Sequence, residues 1–419
     1  MAYYQHLKVL KNDHVSEKMG PEFLNTESTK AVRHLHCSVT AYRETPLVSL
    51  EVLAKKLGVK GIFVKDESYR FGLNAFKGLG GIYALACVIC EKLGLDIHTT
   101  KFSDLQQPLV RESVSHMIFV TATDGNHGKG VAWAAGQLGC KAYVYMPKGS
   151  SPYRAQAIPN AGKAEVTVTD MGYDDTVRYA RHMSEEHGWT LIQDTSWNGY
   201  ETIPKRIIQG YTTMAYEAVH QLGEYGVKAP THIFLQAGVG AMAGGITGFM
   251  VNYYEKQRPV IVIAEPEEAA CIFESARKED GGPHEAAGSG ETIMAGLNCG
   301  EPCTITWPIL RDYANFYAAC PDYVAARGMR QLAAPWGNDK KVISGESGAV
   351  TMGLLTMLME SWELEEEKVM MGLNEESVIL LFNTEGDTDP ASYHGSYTME
   401  HMPLRRNGGD NAWNDHKCI

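Results

Sequence analysis

Basic charge is scarce in this chain of 419 residues: Lys and Arg total 38 against 50 Asp and Glu, a formal net charge of -12. The isoelectric point is about 5.7. Nucleic acid and anionic membrane surfaces need basic patches, so this balance argues against both as partners. Long apolar runs are missing too. None approaches the roughly 18 residues of a membrane span. The start, Met1 to His14, carries Lys8, Lys11 and Asp13 and lacks the apolar core of a secretory signal. Cysteine is thin, nine residues and an odd number. That fits a reducing cytoplasm better than a disulfide scaffold. Whether one pair bridges, Cys271 with Cys299 for example, stays open.

Several chemical signatures are also absent. No Gly-x-x-x-x-Gly-Lys-Ser/Thr occurs, so there is no P-loop. His284-Glu285 has no second histidine four residues on, and no metal site is expected. Cys87-Val-Ile-Cys90 lies in an apolar helix with no second pair, which reads as core packing. Gly345-Glu346-Ser347-Gly348-Ala349 lacks the last glycine of a nucleophile elbow and reads as a turn before a helix over Ala349–Met359.

What remains is ordinary globular chemistry, 44% apolar and 21% charged, with length for two or three domains. Short apolar runs alternate with amphipathic stretches. Strands are expected at Ile62–Val64, Met117–Val120, Ala142–Tyr145, Glu165–Val168, Thr190–Ile192, Ile233–Leu235, Val260–Ala264 and Val378–Phe382. Helices are expected over 49–57, 75–93, 130–138, 152–161, 176–187 and 207–222. Continuous apolar strands between helices predict α/β architecture, with parallel sheets covered on both faces. The acidic run Glu360 to Lys368 reads as the solvated end of a helix. Lys278 to Gly290 reads as a mobile loop, and the tail after Met402 as poorly ordered.

Three segments carry chemistry. After the strand Ile233–Leu235 comes Gly238-Val239-Gly240-Ala241-Met242-Ala243-Gly244-Gly245, running into a helix expected near Ile246. A glycine turn at a helix N-terminus presents free N–H groups and a positive dipole end, a cradle for phosphate. The spacing departs from the dinucleotide fingerprint, so the phosphate should belong to something other than NAD. Glycines needed only for close packing remain an alternative. Second, Lys77 opens a helix, where the dipole repels its charge; such a lysine suits use as a neutral amine nucleophile. Alone, a surface lysine on a frayed turn explains it equally well. Third, Thr123-Asp124-Gly125-Asn126-His127-Gly128 is a second row of N–H groups, suited to a substrate carboxylate. There Asn126 can reach a phenolic oxygen, and His127 can equally cap a turn.

In this order, Phe76-Lys77-Gly78, Asp124-Gly125-Asn126-His127-Gly128 and the glycine cradle resemble the fold type II enzymes that depend on pyridoxal 5'-phosphate. With Gln193-Asp194, Trp197 and Asn383-Thr384 added, the chain is most similar to the diaminopropionate ammonia-lyase family. The resemblance spans Lys65 to Asp389. It implies two twisted α/β domains with the cofactor in the cleft between them. The large domain would comprise residues 1–85 and 201–419, the small inserted one residues 86–200. The small domain would close over the reaction to exclude water, and the assembly would be a homodimer.

The resemblance further implies that Lys77 holds the cofactor as a Schiff base. Gly238, Val239, Gly240, Ala241 and Met242 would bind its phosphate, Asn126 its ring hydroxyl, and Thr384 would face its pyridine nitrogen. Thr123, Asp124, Gly125, His127 and Asp194 would bind the substrate, with Glu346 and Ser347 lining the cofactor face. The expected reaction is α,β-elimination of D- and L-2,3-diaminopropionate to pyruvate and two ammonia. Lys77 would take the α-proton of the L-isomer and Asp124 that of the D-isomer, while Asp194 holds the β-ammonium. A serine or threonine dehydratase or a β-replacement synthase is the alternative, and a non-catalytic amino-acid sensor the third reading. The two aspartates argue against the second, Lys77 against the third.

Overall fold

The computed structural model describes residues 7–398; the expectation for the tail after Met402 lies outside them. Eleven strands are present: β1 (Lys8–Lys11), β2 (Leu47–Ser49), β3 (Gly61–Asp66), β4 (Ile118–Ala122), β5 (Lys141–Met146), β6 (Ala164–Val168), β7 (Thr190–Leu191), β8 (His232–Gln236), β9 (Val260–Pro266), β10 (Phe316–Cys320) and β11 (Val378–Asn383). They form a seven-stranded sheet, order β1-β10-β9-β8-β11-β3-β2, and a four-stranded sheet, order β6-β5-β4-β7. The small sheet is parallel throughout. The large one is parallel from β10 to β3 and antiparallel only at its edges, where β1 pairs β10 and β2 pairs β3. Neither edge strand was expected from the sequence. At three or four residues each, they are too short to show a period.

The central strands read as unbroken apolar runs because both faces are covered. In β8, Ile233 and Leu235 enter one core cluster while Phe234 enters the other. In β11, Val378, Leu380 and Phe382 take the first side, Ile379 and Leu381 the second. The expected strands all occur, to within a few residues. Among the described residues no helix is long and apolar enough to cross a membrane.

Several helices begin earlier than expected, and for the two at the glycine-rich motifs the reason is the same. Residues Asn126–Gln137 are helical, although the sequence placed the start at Gly130. Residues Ala241–Tyr254 are helical, although the start was expected near Ile246. The early turns contain glycines, which disfavour helix in isolation. Tertiary packing demands them. A Cβ on Gly244 would lie 2.5 Å from Thr306 Cβ, one on Gly248 2.4 Å from Leu24 Cδ1, and one on Gly128 2.4 Å from Thr123 Cγ2. Gly130 lets its helix approach the backbone of Lys77 and Gly78, where a Cβ would sit 3.0 Å from both.

The acidic run is divided: the helix Glu346–Glu360 ends at its first residue, a single turn Trp362–Leu364 holds Glu363, and a short helix, Glu365–Met371, holds Glu365 to Lys368. The stretch 278–290 is anchored rather than loose. His284 N donates to Ser275 Oγ (2.7 Å), Ser289 N to Glu268 Oε2 (2.7 Å) and Gly290 N to Glu268 O (2.9 Å).

Candidate active site

One cavity gathers the carboxyl ends of strands from both sheets. Thr384 and Glu385 follow β11, the segment from Ala237 follows β8, Asp124 to His127 follow β4 and Asp194 follows β7. Parallel sheets place ligands at such ends because the chain leaves the strand there, free to turn toward solvent or a neighbouring layer. The two sheets contribute to one wall each, so the site lies between them.

Lys77 caps the helix Gly78–Leu93. Its Nζ makes an ion pair with Asp194 Oδ2. Burial pushes the Lys77 amine down, but the Asp194 carboxylate more than offsets this and holds it above the ordinary range. The dipole's repulsion is answered by a carboxylate 117 residues away in sequence. Burial likewise pushes Asp194 up, and its interactions with His127 and with the Lys77 ammonium more than reverse this, leaving its carboxyl at about 2.

His127 is tied to strand β7's exit. Its Nε2 lies 2.8 Å from Ile192 O. A carbonyl only accepts, so Nε2 carries the hydrogen and Nδ1 is a bare acceptor. Nδ1 lies 3.7 Å from Asp194 Oδ2 and has no hydrogen-bond partner. Burial lowers the His127 pKa, keeping the ring neutral.

Asp124 sits at the cavity with Arg154 Nη1 3.5 Å from its Oδ2. Oδ2 has no hydrogen-bond partner. Burial pushes its carboxyl up, against the pull of Arg154 and Lys77. Thr123 and Gly125 do not reach the cavity wall. The Thr123 hydroxyl instead accepts from Gly125 N (2.9 Å) and Gly128 N (3.0 Å), closing the turn that aims Asp124. Gly125 has φ of +149° and backs directly onto the Arg154 stem.

The cradle is formed by Gly238 to Ala243, all at the cavity. Gly240 has φ of +89°, a left-handed turn residue that aims the first N–H groups of the helix Ala241–Tyr254 inward. A Cβ on Gly238 would stand 3.1 Å from Leu297 Cα. Asn126 Nδ2 donates to Glu385 Oε2 (2.5 Å). Thr384 Oγ1 accepts from Gln236 Nε2 (2.8 Å). Ser347 lines the cavity and accepts from Gly296 N (3.1 Å). Glu346 does not line it: its carboxylate accepts from Ser392 (2.8 Å) and Ser396 (2.9 Å) one helical turn behind. Cys271 and Cys299 are both free thiols.

Four lining residues carry polar roles that the sequence did not disclose. Glu385, Gln236, Tyr173 and Cys299 all face the cavity. Glu385 lies directly after Thr384, and Gln236 directly before the cradle. Their proximity to motif residues is a signal, but Gln236 meets Thr384 across 148 residues and Glu385 meets Asn126 across 259.

Comparison with known proteins agrees with this geometry. A family model described as pyridoxal-phosphate dependent enzyme matches residues 39–375. The diaminopropionate ammonia-lyase of Escherichia coli (strain K12) is 49% identical over 387 residues, covering 92% of this chain and 95% of that protein. The crystal structure of the Escherichia coli enzyme in complex with an aminoacrylate-PLP azomethine reaction intermediate matches at TM-score 0.86 and 47% identity, over 94% of this chain and 97% of that one. The biosynthetic L-threonine dehydratase of Escherichia coli (strain K12) is more distant, 27% identical over 55% of this chain and 38% of that protein.

Proposed function

The chain belongs to the pyridoxal-phosphate dependent enzymes, and on that premise we propose that it eliminates ammonia from 2,3-diaminopropionate. It is a carbon–nitrogen lyase with pyridoxal 5'-phosphate as cofactor. With one water consumed, the products are pyruvate and two ammonia.

The residues present fit the cofactor. The cradle lines the cavity at a helix N-terminus, and a Cβ on Gly238 or Gly240 would crowd Leu297 Cα at 3.1 Å or Leu310 Cδ1 at 3.0 Å. Gly238, Val239, Gly240, Ala241 and Met242 would hold the phosphate. Asn126 would meet the ring hydroxyl: Glu385 can only accept, so it fixes the Asn126 amide nitrogen toward itself and leaves a second N–H to donate. Lys77 would hold the aldehyde. Bound there, pyridoxal phosphate supplies an electrophilic carbon for amines and a conjugated ring that takes up the electron pair left at Cα.

The protein's part is charge placement. Asp194, held ionised, needs a cation; Lys77 fills that role until its nitrogen is engaged, and the substrate's β-ammonium takes its place. The Lys77–Asp194 ion pair is the observation that carries the diamine reading, since serine and threonine have no second ammonium to take the place of Lys77. Asp124, pushed up by burial and with no hydrogen bond to Oδ2 beyond its 3.5 Å ion pair with Arg154, is the base for the α-proton of the D-isomer. Lys77 serves the L-isomer. His127, neutral and fixed by Ile192, presents Nδ1 as an acceptor beside Asp194. Thr123 and Gly125 act through the turn that aims Asp124 and Asn126.

Around this site, the described parts of 1–85 and 201–419 would form the large domain and 86–200 the small one, the segment that holds β4 to β7. A homodimer in the cytoplasm completes the proposal, and the eight described cysteines, all free, fit a reducing compartment. The test is pyruvate release from D-diaminopropionate, L-diaminopropionate and serine, each alone, with borohydride reduction and peptide mapping of the holoenzyme. Release from both diamino acids and a phosphopyridoxyl group on Lys77 are expected. Turnover of serine in preference to either diamine would overturn the substrate, and an adduct elsewhere the mechanism.

A further inference from the structure

Gln236 ends β8 and Thr384 follows β11, its neighbour in the sheet, and both line the cavity. The Gln236 amide nitrogen lies 2.9 Å from Phe382 O and 2.8 Å from Thr384 Oγ1. A backbone carbonyl can only accept, so the nitrogen, not the oxygen, must face Phe382. Reversing the amide would set two acceptors against each other inside the sheet. An amide NH2 has two hydrogens, and both are then committed: one to Phe382 O, one to Thr384 Oγ1. The Thr384 hydroxyl is thereby an acceptor on its sheet side. Its own hydrogen has no acceptor in the hydrogen bonds found among the described residues, and the residue opens onto the cavity.

Glu385, the adjacent carboxylate, does not compete for that hydrogen. Its oxygens already accept from Asn126 Nδ2 (2.5 Å), Ser347 N (3.3 Å) and Thr388 Oγ1 (3.3 Å). Lys77 and His127 are engaged with Asp194, and Asp124 with Arg154.

Resting on the reading above, in which Thr384 faces the cofactor's pyridine nitrogen, we propose that Gln236 is a positioning residue that makes the Thr384 hydroxyl a donor toward that nitrogen. A nitrogen that accepts a hydrogen bond is held unprotonated. An unprotonated ring is the weaker electron sink, which favours expulsion of a β leaving group over the reprotonation that leads to transamination. The strand carbonyl of Phe382 thus sets reaction specificity through two hydrogen bonds.

The experiment uses holoenzyme reconstituted with cofactor labelled with 15N at the ring. The parent should show the chemical shift of an unprotonated pyridine. In Gln236→Glu the carboxylate accepts from Thr384, the hydroxyl turns its lone pairs to the ring, and the signal should move toward the pyridinium value. Pyridoxamine phosphate formed per turnover should rise about tenfold or more, the effect of one unit in the nitrogen's pKa. Gln236→Met keeps the length, removes both donors and introduces no charge; it should shift the signal in the same direction and covers the case in which the glutamate variant fails to bind cofactor. A pyridinium signal in the parent, or an unchanged signal in Gln236→Met, overturns the proposal. Either result leaves the Lys77 adduct standing, whereas loss of that adduct in the parent would sink the underlying reading instead.

Discussion

Replacing Asp124 by asparagine removes one charge and almost no volume, and it separates two jobs assigned to neighbouring groups. If Asp124 is the base for the D-isomer, its loss should cut D-diaminopropionate turnover by about 10²- to 10⁴-fold, the usual worth of a general base. That corresponds to about 3–5 kcal/mol of barrier. The L-isomer, served by Lys77, should change by less than about tenfold, since Lys77 keeps its own partner in Asp194. The fold should tolerate the change. The attraction between Asp124 and Arg154 at 3.5 Å is about 5 kcal/mol gross at an effective dielectric of about 20. Relief of carboxylate desolvation opposes it, and Arg154 keeps Asp389 4.0 Å from its Nε. A net cost under about 2 kcal/mol is expected from urea titration. A companion variant, Arg154→Met, removes the cation that holds the Asp124 carboxyl down. Its carboxyl should rise further, so the acid limb of the D-isomer rate profile should move to higher pH while the L-isomer limb stays. Steady-state pyruvate assays with each isomer read both effects. Equal loss on the two isomers in Asp124→Asn would refute the division of labour.

Other expectations follow from single contacts. Asp194→Asn should lower kcat/KM for diaminopropionate by about 10²-fold or more, the loss of a charge-assisted bond, and for serine by much less; parallel losses would show that Asp194 serves Lys77 alone. Gly244→Ala drives a methyl to within 2.5 Å of Thr306 Cβ and should cost about 1–3 kcal/mol with faster cofactor loss on dialysis. Gly223→Ala, in a helix with nothing within 4 Å of the new methyl, should instead stabilise by up to about 1 kcal/mol. His36 is locked neutral, its Nδ1 2.8 Å from Thr213 Oγ1 and Nε2 3.0 Å from Leu79 O, and burial lowers its pKa to about 3. Below about pH 6.5 the unfolded chain binds a proton that the fold refuses, so this residue costs stability as pH falls, by up to about 1.4 kcal/mol per unit. Urea unfolding of His36→Gln against the parent between pH 7 and 5 should show a shallower acid loss in the variant; parallel curves would contradict it.

Legibility in the sequence follows contact distance. Lys77 at a helix start and the glycine cradle could be read because their backbone geometry depends on adjacent residues: a dipole end, a left-handed turn, a missing Cβ. The same holds for β8, β9 and β11, whose unbroken apolar runs announce burial on both faces. The helix starts at Asn126 and Ala241 were misplaced because propensity penalises glycine, and only the neighbour at Thr123 or Thr306 reveals why it is required. Glu346 and Ser347 are consecutive, yet only Ser347 faces the cavity, a matter of helix phase relative to the sheet.

By itself, then, the sequence determined the fold class and the cofactor chemistry, and it singled out the lysine proposed to carry it, since each rests on short runs of residues. The tertiary structure alone decided the protonation logic of the site. Asp194 reaches Lys77 across 117 residues, Gln236 reaches Thr384 across 148 and Asn126 reaches Glu385 across 259. Which groups meet is set by strand order, and for Gln236 a buried carbonyl also sets which atom donates; a linear chain has neither until its sheets have formed.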